Sequence, residues 1–506
     1  MASLLDLFLL ALAALALLTA LNILHQLLPS LHPPTEPPLV FHWLPLLGST
    51  IPYGRDPPAF LAACRATHGD IFTFVLLGQK TTVYLGPAGN EFILNGRLAD
   101  LNAEDVYGPL TTPVFGPGVI YDCSNARLME HKRFVKAGLT RRAMAVYARL
   151  IEGEVKAYVK ASGELKGGEG VWDVPGAMAE ITMFTAARTL QGGEVRRQLT
   201  GEMAGLYHDL DMGFQPVNFV APWLPLPANR RRDVAQKRLR GLYLGIIQAR
   251  RAREGSGDEE PDMLWTLMRS VYKDGTPMDD GDTASLMVAL LLGGQHSSSA
   301  AGTWMLLELT ARAGLQEELF EEQRRLGGEE GGGFRPLELA DVDKMPLMMG
   351  AVKETLRVHS SINSIMRRVK NHIPVPGTGY VIPPGRTMLA STSVMHLSEE
   401  YYARPEVWDP RRWEGRVEEE RDEDMVDYGY GTVNKGTRSP YLPFGAGRHR
   451  CIGESFAYLN LCTIMATLVR EFRFLPTDDK WVVPPTDYSS MFAMATRPAI
   501  VRWERR

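Results

Sequence analysis

The chain has 506 residues, of which 45% are hydrophobic and 23% are charged, and its formal net charge is −4. This composition supplies a large apolar core and excludes a disordered chain, a collagen-like repeat and a coiled coil. The slightly acidic balance argues against a nucleic-acid partner, which would require a basic face.

The N-terminus reads as a membrane anchor. From Leu7 onward, residues 4–28 are almost wholly apolar for about 20 residues, and at ~1.5 Å rise per residue such a helix spans a ~30 Å hydrocarbon core. The alternative is a cleaved signal peptide, which needs a basic start, but no Lys or Arg precedes Arg55. We therefore predict an anchor over residues 1–28, a proline-rich spacer over 29–48 and one body over 49–506. Because both flanks of the anchor lack basic residues, charge does not predict its orientation.

The elements of the body indicate a mainly α fold with a small β region. In chain order we predict two strands within 71–94 and then helices to about residue 360, with loops at 254–261 and 327–333. These helices include a basic amphipathic helix over 229–254 and a long buried helix over 283–311. A β-hairpin over 372–390, an acidic exposed loop over 414–427 and short strands over 481–503 follow. The basic helix over 229–254 has two interpretations: it has a solvated face, or it contacts anionic lipid or an acidic partner.

The long helix has a polar centre. Gly293 and Gly294 are followed by the polar run 295–299, within an otherwise apolar sequence. The serines there can hydrogen-bond to carbonyls one turn earlier, which would be a purely structural role. Alternatively, the polar centre forms a cleft for a reacting molecule together with a proton route.

One cysteine stands apart from the other three. Cys451 follows glycine-rich turns in PFGAGRHRCIG and precedes a helical pattern, so backbone N–H groups and a helix N-terminus favour its thiolate. Arg448, His449 and Arg450 add donors suited to carboxylates. A thiolate, a flat glycine-lined approach and carboxylate donors together indicate a haem site, where thiolate ligation favours O–O cleavage. A redox cysteine or a hydrolase nucleophile is the alternative. The remaining cysteines, which we interpret as buried structural thiols, are Cys64, Cys123 and Cys462.

The segment FGAGRHRCIG resembles the haem-binding loop of the cytochromes P450. Further pieces agree in order: Glu354 and Arg357 in KETLR, and Arg412 in DPRRW, match the family's buried triad. The resemblance extends from about residue 30 to the C-terminus. It therefore implies a single P450 fold, whereas length alone suggests about three domains at ~150 residues each.

Within that family, GGQHSSS (293–299), YGPLTTPVFGPGVIYDC (107–123) and LRVHSSINSIMRRVK (356–370) resemble the fungal sterol 14α-demethylases. Most cytochromes P450 have an acid and then Thr in the long helix, where this chain has His296 and Ser297. Asn363 is a departure, because the subfamily usually has His there and an amide cannot relay a proton as imidazole does.

The resemblance also implies residue roles. His296 and Ser297 would serve catalysis, Cys451 would be the axial ligand, and 214–227 would form an access region facing lipid. Taken alone, the tyrosines among these positions would be core aromatics and Lys132 a surface charge. Further haem-binding residues would be Tyr107, Tyr121, Lys132, Arg367, Phe444, Gly445 and His449. Residues lining a sterol cavity would be Leu110, Thr111, Phe115, Tyr121, Leu290, Gly294, Ser297, Ile362, Ser364, Met491 and Phe492.

The implied activity is removal of a sterol 14α-methyl group in three oxygenations, through alcohol and aldehyde to formate, in ergosterol synthesis. The implied cofactor is haem b, with O₂ and electrons from NADPH. Because the chain has no flavin or nicotinamide motif, those electrons would come through NADPH–cytochrome P450 reductase, with cytochrome b5 as a further donor. The body would lie on the cytosolic face of the endoplasmic reticulum, and azoles would inhibit. The alternatives are a diverged paralogue acting on another triterpenoid or serving as an azole-resistant copy, and a non-catalytic haem- or sterol-binding protein.

Overall fold

Helices form most of the structure, a computed structural model that describes residues 4–28, 33–199, 201–254, 262–415 and 424–506. Short strands form the rest of the regular structure, so the mainly α fold expected from the sequence is confirmed. In the described residues the helices α1 to α18 are Leu4–Leu27, Thr50–Arg55, Pro57–His68, Gly86–Leu94, Glu104–Phe115, Asn125–Ala137, Arg141–Ala161, Val174–Ala186, Gly193–Gln198, Gly201–Asp211, Pro227–Arg251, Met263–Met268, Asp280–Thr310, Ala313–Gly327, Leu339–Val342, Pro346–Val358, Thr392–His396 and Glu454–Glu471. The strands β1 to β14 are Ile71–Leu76, Gln79–Tyr84, Leu101–Asn102, Glu169–Asp173, Ile365–Val369, Ile373–Pro374, Val381–Ile382, Thr387–Ala390, Met425–Asp427, Thr432–Asn434, Phe472–Leu475, Thr486–Asp487, Met494–Ala495 and Ile500–Arg505.

The largest sheet has the strand order β1-β2-β8-β5-β3. Its first two strands form a hairpin whose turn residues Leu77 and Gly78 both have positive φ, 49° and 76°, the backbone twist that suits a two-residue hairpin. Strand β8 joins β2 in parallel. A second sheet, β11-β14-β4, joins the C-terminus to the middle of the chain.

Helix α13 runs through the middle of the body and contacts α8, α11, α16 and α18. The Asp279 carboxylate caps its start by accepting from Gly281 N at 2.7 Å. The helix is continuous through Gly293 and Gly294, and Gln295, Ser298 and Ser299 of its polar centre are buried. The core around it includes the fully buried indoles of Trp172, Trp304 and Trp503.

Several predicted elements differ in detail. Residues 86–94 form α4 rather than strand, because Gly86 and Pro87 begin a helix after β2. In 372–390 only β6 and β7 form a hairpin, whereas β8 joins the large sheet. The acidic segment includes a strand, β9, that pairs with β10. Residues 255–261 of one predicted loop and 416–423 of the acidic loop lie outside the described residues.

The N-terminal region has two parts. Helix α1 is long and apolar enough to cross a membrane, with mean hydropathy 2.6 over Leu5–Leu27. Residues 39–48, the later part of the predicted spacer, lie against the large sheet: Val40 N donates to Thr73 O at 2.7 Å and Thr73 N to Pro38 O at 2.8 Å. The body of the protein therefore begins to pack before residue 49.

Candidate active site

Cys451 ends a glycine-rich turn directly before α18. Its N–H donates to Phe444 O at 2.9 Å. Gly447 has φ of 66°, and a Cβ there would lie 2.5 Å from Leu94 O, so the turn requires glycine. Cys451 is accessible to solvent, yet the surrounding protein desolvates its thiol, and this desolvation is the largest influence on its pKa. The sulfur therefore faces an internal space rather than the outer surface.

The protein environment by itself shifts the pKa of Cys451 upward. Burial raises the pKa of its thiol, and the Gly453 N–H and the charges of Lys132 and Arg450 oppose this only in part. The backbone N–H groups that the sequence predicts to favour the thiolate are thus opposed by desolvation, the largest influence on this thiol. A bound metal cation deprotonates a coordinating thiol outright, so this sulfur suits a metal ligand.

A cluster of positive side chains lies beside this loop. Arg367 is 3% exposed, and its Nη1 donates to Met366 O at 2.7 Å. The Lys132 Nζ donates to the carbonyls of Arg448 and Arg450 at 2.8 and 2.7 Å. Burial lowers the pKa of Lys132 to about 8, and Arg367 adds to the effect. Among the described residues neither side chain has an acidic partner, so the chemistry of the cluster suits an anion.

Three rings extend this cluster. Tyr107 and Tyr121 stack with centroids 5.1 Å apart, and Tyr121 lies 5.9 Å from the ring of His449. The Tyr107 hydroxyl accepts from Met366 N at 2.9 Å. Burial, together with Arg367, Lys132 and Arg448, holds the pKa of His449 well below its usual value. The five side chains predicted to hold haem propionates, namely Tyr107, Tyr121, Lys132, Arg367 and His449, thus lie in one region with Cys451.

The polar centre of α13 brings His296 close to an acid from another helix. His296 Nε2 lies 3.1 Å from Asp211 Oδ1 at the end of α10, without good hydrogen-bond alignment. Burial lowers the pKa of His296, and Asp211 opposes that shift. Ser297 Oγ donates to Gly293 O at 3.2 Å, the bond to the preceding turn that the structural interpretation expected. Asp211 was not identified from the sequence, since nothing in LYHDLD marks it.

Aromatic side chains connect this pair to the predicted cavity. The ring of His296 stacks on Phe492 at 5.4 Å, Phe492 lies 5.8 Å from Phe214, and Phe214 lies 5.8 Å from Phe115. Together they form an apolar wall beside His296.

Other predicted lining residues have different surroundings. Leu110 is fully buried in the core, Thr111 donates to Tyr107 O at 2.8 Å, and Ile362 is 45% exposed. Ser364 accepts from Tyr53 OH at 2.9 Å. Leu290 and Met491 are partly buried against the main core, and a Cβ on Gly294 would meet only Leu190 and Ala186, at 3.9 and 4.0 Å.

The predicted triad forms a buried network. Glu354 accepts from Arg357 Nη2 and Nε at 2.8 and 2.9 Å, and from Arg412 Nε at 3.1 Å. It also accepts from Trp413 Nε1 at 3.0 Å, a partner that was not predicted. Glu354 and Arg357 are both fully buried, so the pair compensates charges that could not remain there alone.

A histidine links this network to the cysteine loop. Arg357 Nη1 donates to His396 O at 2.5 Å, and Leu442 N donates to His396 Nε2 at 2.9 Å. Burial lowers the pKa of His396 to about 3, so the ring is neutral and its Nε2 can accept. The segment that leads to Cys451 is therefore held by the triad through His396.

Comparison with known proteins identifies the family. The family model for cytochrome P450 matches residues 37–503. The chain belongs to the cytochrome P450 family. Among curated relatives it is 55% identical to a sterol 14-alpha demethylase of Aspergillus flavus, over 98% of this chain and 96% of that protein. It is also 55% identical to an eburicol 14-alpha-demethylase of Penicillium italicum, over 96% of this chain and 95% of that protein.

The retinoic acid-bound cyanobacterial CYP120A1 structure has the same fold, with a TM-score of 0.77 at 20% identity, and the match covers 94% of this chain and all of that one. A cytochrome P450 carries haem and performs oxygen-dependent monooxygenation with electrons from a redox partner. The residues present suit that cofactor, because a cavity-facing cysteine sulfur and a buried cationic cluster without an acid match iron and two propionates.

Proposed function

We propose that this cytochrome P450 removes the 14α-methyl group of lanosterol or eburicol in ergosterol synthesis, by three successive oxygenations that give the alcohol, the aldehyde and then formate. Each round consumes O₂ and two electrons. The observation that carries the proposal is 55% identity to fungal enzymes of that name over nearly the whole chain.

The haem would be held from both ends. Cys451 would supply the sulfur that ligates the iron, and Phe444 and Gly445 would be further haem-binding residues. The donors Tyr107, Tyr121, Lys132, Arg367 and His449 would bind the propionates, which would offset the repulsion within the cationic cluster. When bound, the haem supplies oxygen activation, and thiolate ligation favours O–O cleavage.

The residues of α13 would move protons. His296 replaces the usual acid, and the Asp211 carboxylate beside its Nε2 would orient the ring and stabilise its protonated form while a proton passes through it. The Ser297 hydroxyl would first break its hydrogen bond to Gly293 O and would then pass the proton onward. This route needs a neutral His296 that can receive and release a proton, and the lowered pKa supports that state.

A rigid sterol would lie along the aromatic wall next to His296. Apolar side chains would exclude water, and few polar groups would orient the substrate. The remaining lining residues would be Leu110, Thr111, Phe115, Leu290, Gly294, Ile362, Ser364, Met491 and Phe492. Residues 214–227 would form the access region, where Trp223 is 75% exposed, as suits a side chain at a lipid interface.

The protein would be attached to the endoplasmic reticulum by a single pass, with residues 1–28 as anchor, 29–48 as spacer and 49–506 as the cytosolic catalytic domain. NADPH–cytochrome P450 reductase would deliver electrons, with cytochrome b5 as a further donor. Arg450 pairs with Glu454 at 2.7 Å, so a partner that bound Arg450 would have to compete with this ion pair.

The test is reconstitution of purified protein with the reductase, NADPH and either lanosterol or eburicol. We expect the 14-demethylated sterol and formate. NADPH consumption without an oxidised sterol would instead favour a haem- or sterol-binding protein. Purified protein with haem and without the thiolate-type spectrum of its reduced carbon monoxide complex would contradict the axial role of Cys451.

Asn363 favours a second candidate, a diverged paralogue that oxidises another triterpenoid or serves as an azole-resistant copy. Its backbone carbonyl accepts from Ser391 and Ser393, and its amide cannot relay a proton. Turnover of neither sterol, with binding spectra for other triterpenoids, would favour this candidate. Asn363→His in the same assay shows whether the amide limits demethylation.

A further inference from the structure

The last two turns of α1 present one face to the body of the protein. Thr19, Asn22, Ile23 and Gln26 are partly buried, whereas the other described side chains of this helix are exposed. Their spacing of three, one and three residues places them on a single helical face. Helix α1 is therefore in contact with the body along one stripe at its C-terminal end.

Two amides on that stripe bind the backbone of the segment that follows. Asn22 Nδ2 donates to His42 O at 3.0 Å and to Trp43 O at 3.1 Å. Gln26 Nε2 donates to His42 O at 2.8 Å, and His42 N donates to Gln26 Oε1 at 3.0 Å. The carbonyls and the N–H belong to a loop that is itself attached to β1 through Val40. The helix end and the body are thus joined by four hydrogen bonds.

The joined segment is strongly apolar on its outside. No Asp, Glu, Lys or Arg occurs from Pro37 to Gly54. We call its exposed apolar side chains the apolar shelf. The apolar shelf consists of Phe41, Trp43, Leu46, Leu47 and Ile51, which are 44, 67, 76, 43 and 61% exposed. A continuous exposed set of this kind marks a surface that meets a membrane or a partner.

We propose that Asn22 and Gln26 latch the anchor to the body and thereby hold the apolar shelf in the surface of the lipid bilayer. The inference rests on the proposed membrane anchoring. Helix length supports a bilayer as the occupant: Leu4–Leu21 contains 18 residues, and at about 1.5 Å per residue this spans ~27 Å, which matches the thinner bilayer of the endoplasmic reticulum. Asn22 then lies at the headgroup boundary, and Trp43 lies where indoles are enriched.

The latch would give the body one orientation, since a free tether would let it tumble above the membrane. The apolar shelf leads into α2, whose Tyr53 hydroxyl donates to Ser364. The orientation therefore places this side of the proposed sterol site against lipid.

The test uses the full-length holoprotein in phosphatidylcholine nanodiscs, with an environment-sensitive fluorescent amino acid at Leu46 and lipids that carry a quencher at a shallow acyl position. We compare the native sequence with Asn22→Leu/Gln26→Leu, which removes the latch but keeps an apolar helix. Leu21→Ala/Leu24→Ala, on the exposed face of the same helix, is the control. The reduced carbon monoxide spectrum verifies that each variant is folded.

We expect strong quenching in the native protein and in the control, and loss of most of that quenching in the latch variant, while all three co-elute with nanodiscs. Equal quenching in the latch variant would overturn the latch. Absence of quenching in the native protein, with co-elution intact, would overturn bilayer contact, and dimers in detergent would then assign the apolar shelf to a second copy. Failure to co-elute would refute the membrane anchoring itself, a result distinct from the other two.

Discussion

Removal of the Glu354 carboxylate is expected to destabilise both the core and the cysteine loop. Glu354 is fully buried and accepts hydrogen bonds from Arg357, Arg412, Trp413 and Asp409 N. The variant Glu354→Leu leaves the guanidinium of Arg357, which is also fully buried, without its acid. Removal of one partner from a buried ion pair costs about 3–5 kcal/mol.

The loss of stability should also reduce haem binding through Cys451. Arg357 holds the His396 carbonyl, and His396 holds Leu442 N in the loop that leads to Cys451. We therefore expect Glu354→Leu to lower the fraction of protein that gives the thiolate-type carbon monoxide spectrum. The assay follows that spectrum and the far-ultraviolet circular dichroism of the purified protein as urea is increased.

A double variant separates the ion pair from simple loss of packing. In Glu354→Leu/Arg357→Met no charge is left buried without a partner, so we expect it to be more stable than Glu354→Leu alone. The surface variant Glu321→Gln, which breaks an exposed pair with Arg324, should cost at most about 1 kcal/mol. If the double variant lost as much stability as Glu354→Leu and Arg357→Met measured singly and added together, the reasoning from an uncompensated charge would be refuted.

Three further predictions concern the site and its pH dependence. Cys451→Ala should abolish haem-thiolate spectra while the circular dichroism stays helical; a retained thiolate spectrum would contradict the ligand assignment. Asp211→Asn removes the one acid among the described residues that raises the pKa of His296, so the acid limb of kcat, where the required neutral His296 becomes protonated, should move to lower pH with little change in sterol binding; an unmoved limb would exclude the pair from proton delivery. His131 and His396 have pKa values lowered to about 4 and about 3. The unfolded chain therefore binds more protons below pH 6.5, stability should fall as the pH is lowered from there, and His131→Gln should reduce the slope in acid unfolding.

The parts of the site that could be predicted are those whose interacting residues lie within one short stretch of sequence. The turn before Cys451 needs glycine where φ is positive, and Glu354 and Arg357 meet because they are three residues apart on one helix. A run of apolar residues likewise predicts α1 by its length alone. In each case the residues that interact are neighbours in the chain, so local geometry is enough to pair them.

The contacts that could not be predicted join residues far apart in the chain. Asp211 is 85 positions from His296 by the numbering, and only the packing of α10 near α13 brings their side chains to 3.1 Å. Trp413 meets Glu354 across 59 positions. Local preferences cannot identify such partners, because a carboxylate in an ordinary helix end has the same local sequence whether or not it faces a histidine. The His296–Asp211 pair is therefore visible only after the fold has placed two helices close together, even though Cys451 could be recognised from ten residues.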